Sequence, residues 1–379
     1  MAAQLSTVLT RLDTMLAETQ RRARRTLGRV EGVRLVPFRS WVTPSKAVVL
    51  GRAVLADVAL EAQLQRSPRL LRVLHERFWT LETRPSPVRV AWGGQTATAL
   101  SDSGGFIDVS FPLDGTAPLG LTRAELSLPG AGPAAAASAE VFGLDPRAAF
   151  GVISDIDDTV LETELTNPWR RFLQLIYSRQ RMRLPFDGIA ALFQALAQQN
   201  NPIFYVSNAP WNLYEHVVEL LDHHEIPRGP LLLRDSRLAE RVVRDEASGQ
   251  VLVHKQRALR RLAEEHSNLP LILLGDSSRR DPLRYVELAE AFPGRVAAIY
   301  IRRVHGILAS RGSLEHSRRR AERAGVELLV ADDTVTIAQH AQSRGFIPRV
   351  EVGRVREGKA RDELAPPVEL ASASAEPKP

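Results

Sequence analysis

Read as apolar and polar positions alone, the chain changes rhythm more than once. Over residues 1–30, Leu5, Val8, Leu9, Leu12, Met15 and Leu16 recur at helical spacing, followed by Arg21, Arg22, Arg24, Arg25 and Arg29. This predicts an amphipathic N-terminal helix, folded onto its own protein or laid on an anionic lipid surface. Over 31–130 the runs are short and β-branched or alternating: "VRLVPF", "AVVLGRAVLA", "VRVAW", "ATALS", "FIDVSF" and "AELSL", separated by turns such as "SDSGG". That pattern predicts a small β-sandwich domain, interrupted by a helical piece at "RLLRVLHERF". The Ala-, Gly- and Pro-rich stretch "LPGAGPAAAASAE" predicts a linker over 131–144.

From residue 145 the apolar runs become continuous and alternate with amphipathic segments. The runs are "AAFGVIS", "PIFYVS", "LPLILLG", "RVAAIYI" and "VELLVA". Strands apolar on both faces need cover on both faces, so the prediction over 145–350 is an α/β domain, a Rossmann-like parallel sheet with helices on either side. The last stretch, 351–379, ends "APPVELASASAEPKP" and reads as a disordered tail.

Composition narrows this picture. A chain of 379 residues with 44% hydrophobic positions has material for two cores plus tails. It contains no apolar run of about 18 residues, so no membrane span is expected. The N-terminal stretch lacks the apolar core of a signal peptide, and cysteine is absent, so the expected location is the cytoplasm. The missing cysteines also exclude disulfides, thiolate metal sites and thiol nucleophiles. A net charge of +6 and a pI near 10.0 favour an anionic partner: nucleic acid, anionic lipid or a phosphorylated substrate. Apart from Lys46, Lys255, Lys359 and Lys378, every basic side chain other than histidine is arginine. Codon bias accounts for most of that, but a lysine retained in such a chain marks a place where arginine does not fit.

Ligand chemistry in doubly wound folds gathers beyond the carboxyl ends of the strands. The first strand is followed by Asp155, Asp157, Asp158 and Thr159; the second by Ser207 and Asn208; the third by Gly275, Asp276 and Asp281. A helix upstream of the third opens with His254 and Lys255. Each has an ordinary reading alone: "DIDDT" as a helix cap, Ser207–Asn208 as a helix start, Lys255 as a solvated side chain. In extended chain Asp155 and Asp157 face one side, where a hard divalent cation such as Mg²⁺ would neutralise Asp155, completed by Asp276 and the Asp157 carbonyl. Crowding the two carboxylates also raises one pKa, which suits Asp157 to proton donation. His223 and His224 read as helix-face residues, and Asp332–Asp333 receives no role.

The order of these motifs resembles that of the haloacid dehalogenase-like phosphohydrolases: "DIDDT" their first motif, Ser207 the second, Lys255 the third, "GDSSRRD" the acidic fourth. The wider wording, "VISDIDDTV", "FYVSNAPWNLY", "HK", "LLGDSSRRDP" and "AIYIRRV", is similar to the actin-patch phosphatidate phosphatase family. That lipin-like group dephosphorylates phosphatidate with Mg²⁺. The resemblance covers roughly 145–345; "LVPFRSWVTPSKAVVLGRAVL" looks, more loosely, like what precedes the catalytic domain in bacterial members.

The resemblance implies that Asp155 is the nucleophile, forming an aspartyl-phosphate, and that Asp157 protonates the leaving alkoxide and then activates water. Thr159, Ser207 and Asn208 would hold phosphate oxygens, and Lys255 would balance charge between nucleophile and phosphate. Mg²⁺ would rest on Asp155, Asp157 and Asp276, with Asp281 supporting. The spacings leave room for no more than a minimal cap, so the site is expected to be open to a substrate carried on a bilayer or a polymer. "SRQRMR" and Arg279–Arg280 offer positive charge to anionic head groups, consistent with peripheral contact at the inner membrane surface. The first expectation is therefore an Mg²⁺-dependent phosphatidate phosphatase. The alternatives are the same chemistry on another phosphomonoester, including nucleic-acid ends, and a non-catalytic phosphatidate-binding module.

Overall fold

The computed structural model describes residues 33–55, 81–82, 85–102, 104–113, 115, 117–130, 136–156, 186–234, 243–244, 251–252, 254–277, 281–303 and 311–364. The expected N-terminal helix, the helical piece at 69–78, Asp157, Asp158 and Thr159, and the arginines at 178–183 and 279–280 lie outside the described residues. The chain divides into two units. One takes residues up to Leu144 with Pro210–Tyr214 and Arg234–Val253; the other takes Asp145–Ala209, Glu215–Leu233 and the chain from His254.

The first unit is built on strands β1 (Val33–Pro37), β2 (Ser40–Val42), β3 (Lys46–Leu55), β4 (Leu81–Glu82), β5 (Pro87–Trp92), β6 (Gln95–Leu100), β7 (Phe106–Pro112), β8 (Leu121–Ser127) and β9 (Ala137–Phe142). They join in one nine-stranded sheet of order β1-β3-β2-β9-β8-β5-β6, with β4 and β7 also on β3. The pairings are antiparallel except β2 with β9. Alternation fixes the faces: Val88, Val90 and Trp92 of β5 share one core with Ile107, Val109 and Phe111 of β7 and Ala124 and Leu126 of β8. The β5–β6 loop is Gly93-Gly94, both at positive φ, as a two-residue hairpin loop demands. Strand β9 corrects the linker expectation for 131–144. Its alanine-rich sequence gives no strand signal, yet pairing with β8 and β2 buries Ala139 and Val141.

In the second unit, β10 (Gly151–Asp155), β11 (Ile203–Pro210), β12 (Leu231–Arg234), β15 (Leu271–Asp276), β16 (Val296–Arg302) and β17 (Leu328–Ala331) form a six-stranded sheet of order β12-β11-β10-β15-β16-β17. A short antiparallel ladder, β13 (Val243–Arg244) with β14 (Val251–Leu252), lies between β12 and β15 in sequence and is grouped with the first unit. The β10–β11, β10–β15, β15–β16 and β16–β17 pairs are parallel, and β10 and β15 are buried along their whole length. The helices are α1 (Ile189–Leu196), α2 (Tyr214–His223), α3 (His254–Glu265), α4 (Asp281–Ala291), α5 (Arg311–Arg323), α6 (Thr334–Ser343) and α7 (Arg349–Leu364).

Helix α7 overturns the disordered tail expected from 351, at least to Leu364. Its sequence is too charged to show an apolar stripe, and three small contacts hold it instead. A Cβ on Gly358 would stand 2.8 Å from Ala191 Cβ, so α7 and α1 approach as only glycine allows. Gly188 N–H donates to Asp362 Oδ2 at 2.7 Å, and Lys359 pairs with Asp333 at 2.8 Å. Among the described residues no helix is long and apolar enough to cross a membrane.

Candidate active site

The topology predicts where ligands go. From β10 the chain builds outward through β11 and β12, then returns to the other side of β10 to begin β15. The crevice beyond β10 and β15 is therefore the switch point of the sheet. Asp155 ends β10 and Asp276 ends β15; Ser154 pairs with Leu274, so the two carboxylates leave adjacent strands almost level. Two helix starts complete the group. Lys255 is the second residue of α3 and Asp281 the first of α4, where an acid is favoured by the helix dipole.

Asp155, Asp276 and Asp281 offer carboxylate oxygens within 4.8 Å of one another, and all are buried. Lys255, 1% exposed, places Nζ 2.8 Å from Asp155 Oδ2 and 2.6 Å from Asp281 Oδ1. A lysine here is a compact charge between two carboxylates, and a planar guanidinium would not fill the same space. The charges do not cancel: three carboxylates against the Lys255 ammonium and the Arg284 guanidinium, 3.7 Å from Asp281 Oδ1, leave more negative than positive charge at a buried site. Burial pushes the Asp281 carboxyl well above its ordinary range; Lys255 opposes that, and Asp155 and Asp276 add to it.

The donor set fits a hard divalent cation. Three carboxylates converge with no soft ligand among them, and Asp281 Oδ2 is buried without a hydrogen-bond donor among the described residues. Two further residues, Tyr285 and Gly275, build the floor. Tyr285 lies one helical turn beyond Asp281 and donates its hydroxyl to the Leu274 carbonyl at 2.9 Å. Burial, then Asp281, Asp155 and Asp276, push its pKa well up, so it stays a donor. A Cβ on Gly275 would stand 2.8 Å from Tyr285 Cε2 and 2.9 Å from Asp281 Oδ2, so the glycine makes room for both. The i, i+4 spacing of Asp281 and Tyr285 was the available signal, readable only once α4 is known to begin at Asp281.

Ser207 sits one residue past Val206, the partner of Asp155 on the neighbouring strand, and is buried. Its hydroxyl accepts the Ala209 N–H at 2.8 Å. Asn208 is half-buried beside it. The chain stays extended to Pro210 before the turn Trp211–Leu213 and α2, so Ser207 does not start a helix. The structure thus gathers Asp155, Lys255, Asp276 and Asp281, with Ser207 and Asn208 at the adjacent strand end; Asp157 and Thr159 lie outside the described residues. His223 ends α2 and packs edge-on against His224, and neither belongs to a metal-ligating group among the described residues. Asp333 caps α6 by accepting the Thr336 N–H.

Comparison with known proteins meets this geometry over the same stretch. Residues 150–303 match the family model described as the phosphatidate phosphatase APP1 catalytic domain. The chain is 27% identical over 166 residues to an uncharacterized protein of Schizosaccharomyces pombe, covering 44% of this chain and 27% of that protein. It is 26% identical over 156 residues to phosphatidate phosphatase APP1 of Saccharomyces cerevisiae, covering 40% of this chain and 26% of that protein. The match thus spans about a quarter of the length of these curated relatives. Among solved structures, a carbohydrate acetylesterase from Xanthomonas citri superposes with a TM-score of 0.31 at 9% identity, covering 86% of this chain and 74% of that one, too loose a likeness to indicate a fold. Asp155, Ser207, Lys255, Asp276 and Asp281 all fall inside the matched stretch, and over residues 150–303 the chain is similar to the APP1 phosphatidate phosphatase catalytic domain.

Proposed function

We propose that this protein is an Mg²⁺-dependent phosphatidate phosphatase of haloacid dehalogenase-like architecture, releasing diacylglycerol and phosphate. The observation that carries the reading is the buried cluster of Asp155, Lys255, Asp276 and Asp281 at the switch point of a parallel sheet, inside the family-matched stretch. Asp155 attacks phosphorus and takes the phosphoryl group as an aspartyl-phosphate, while the P–O bond to the glycerol oxygen breaks. Asp157 gives its proton to that alkoxide and then takes one from the water that hydrolyses the intermediate. Lys255 sits against Asp155, where it offsets charge on nucleophile and phosphate. Ser207, Asn208 and Thr159 orient the phosphate oxygens. Bound Mg²⁺ would be held by Asp155, Asp276 and the Asp157 carbonyl, with Asp281 supporting, and would neutralise charge on the phosphoryl group.

The test is phosphate release from three substrates with Mg²⁺ and with chelator: phosphatidate vesicles, a short-chain soluble analogue and phosphorylated oligonucleotides. On this reading the cap is no more than minimal, so a bilayer helps to exclude water from the phosphate. Vesicles should give the highest kcat/KM, and rising salt should narrow the gap. Better hydrolysis of the soluble analogue or the oligonucleotide at every salt concentration would replace phosphatidate with another phosphomonoester.

A further inference from the structure

Helix α4 brings a second cation to the carboxylate cluster, one turn beyond Asp281. Arg284 Nη1 stands 3.7 Å from Asp281 Oδ1, the oxygen that Lys255 Nζ already holds at 2.6 Å. At that separation the contact is charge against charge, too long for a hydrogen bond. Side chains on a helix lean toward its N-terminus, so a long side chain at 284 reaches back toward the strand ends.

Its setting differs from that of a surface arginine. Arg319 of α5 pairs with Glu315 at 3.1 Å while both side chains are largely exposed, an ordinary solvated pair. The Arg284 side chain is only 15% exposed, and its Nη1 is buried with no hydrogen-bond acceptor among the described residues. Withdrawing a guanidinium N–H from water without an acceptor costs stability, so packing alone gives no reason for an arginine here. The position is also fixed. Gln256, beside Lys255 on α3, donates to Glu287 of α4 at 2.8 Å, and Tyr285 donates to the Leu274 carbonyl at 2.9 Å. The helices carrying the two cations are thereby tied to each other and to β15.

The sign of the charge decides what Arg284 does. A divalent cation bound at the cluster would keep all three carboxylates ionised. Against Lys255 and Arg284 they leave one negative charge before the cation binds and one positive charge after. Without Arg284 the cation-loaded cluster would be neutral. A phosphomonoester arrives as an anion, so the residual positive charge favours it, while the same guanidinium repels the cation. We propose that Arg284 divides the affinity of the site between metal and phosphate, weakening Mg²⁺ binding and strengthening phosphate binding. The inference rests on the phosphatase reading for the identity of both ligands. It deepens that reading by adding a residue that follows the acidic fourth motif and belongs to none of the four.

The experiment uses the full chain as wild type, Arg284→Met and Arg284→Lys, with Arg319→Met as the control for losing a cation elsewhere. Calorimetry titrates Mg²⁺ alone, then inorganic phosphate at saturating Mg²⁺. Arg284→Met, which keeps an extended side chain and removes its charge, should bind Mg²⁺ about tenfold tighter and phosphate about tenfold weaker. Arg284→Lys should stay within about threefold of wild type for both ligands, and Arg319→Met should match wild type. Opposite signs separate charge from packing, because a packing defect weakens both ligands. Unchanged or weaker Mg²⁺ binding in Arg284→Met, unchanged phosphate binding, or an Arg284→Lys that behaves like Arg284→Met overturns the proposal. So does a wild type that takes up no Mg²⁺. If Arg284→Met does not fold, Arg284→Gln decides it by the same titrations. Titrations that move as expected in a protein that hydrolyses no phosphomonoester would sink the phosphatase reading alone. Hydrolysis with unmoved titrations would sink the inference alone.

Discussion

The two sheets treat buried polarity in opposite ways. In the antiparallel unit strands alternate, and several buried polar groups are matched close by: Arg39 Nε with Glu140, the Ser40 hydroxyl between the Phe38 carbonyl and the Leu50 N–H, Thr43 closing its own turn. In the parallel unit β10 and β15 are apolar on both faces, so only the strand ends are left to carry chemistry. There three carboxylates meet Lys255, with Arg284 3.7 Å from Asp281. The first arrangement serves stability. The second gathers charge at the strand ends, and that difference is why the proposed chemistry is assigned to the parallel sheet.

The largest effect that would break this comparison comes from the nucleophile. Asp155→Asn should lower turnover on a phosphomonoester by about a thousandfold or more while the melting temperature holds, since it removes charge from an overcharged site. Retained turnover would mean that the strand-end charge is not catalytic. Phe111→Ala, in the antiparallel core, should do the reverse: lose about 3–5 kcal/mol of stability in denaturant titration, with Mg²⁺ affinity of the folded protein unchanged.

Mg²⁺ itself should raise stability by about 2.7 kcal/mol at a hundredfold excess over its Kd, read as a thermal shift. That shift should be insensitive to Phe111→Ala and reduced by Asp276→Ala. Asp276→Ala should also move the half-saturating Mg²⁺ concentration up by about tenfold or more. An unmoved half-saturation point would remove Asp276 from the metal site.

The smallest effect concerns the Asp333–Lys359 pair that anchors α7. Burial pushes the Asp333 carboxyl up, but hydrogen bonds from Lys359 and Thr336 outweigh it and hold the pKa down to about 2. A lowered folded pKa gives stability that is complete above the ordinary carboxylate range near 3.8 and is lost as pH falls from about 4 towards 2. Because the pair is partly solvated, the contribution is about 1 kcal/mol or less. Lys359→Met should flatten that part of the stability–pH curve, and an unaltered curve would show that the pair does not hold the helix.

Sequence legibility follows the same division. The runs "VIS", "IFYV", "LILL" and "AAIYI" give the parallel strands because burial on both faces leaves no other composition. Strand β12, "LLLR", is too short to stand out, and β9 and α7 hide in alanine-rich and charge-rich sequence because partners elsewhere in the chain decide them. At the site, Asp155, Ser207, Lys255 and Asp276 were legible through their order at strand ends. Direct pairing of Asp281 with Lys255, the Tyr285 floor and the space left by Gly275 were not, since each depends on where α3 and α4 begin. The Trp211–Phe38 stack joins residues far apart in sequence, and no local pattern announces it.

The central claim is that Asp155 becomes phosphorylated during turnover. Wild-type protein mixed with phosphatidate vesicles and Mg²⁺, quenched in acid and reduced with borohydride, should yield homoserine at position 155, identified by peptide mass spectrometry. The signal should vanish with chelator. Phosphate release at full rate with position 155 recovered only as unmodified aspartate would contradict the account.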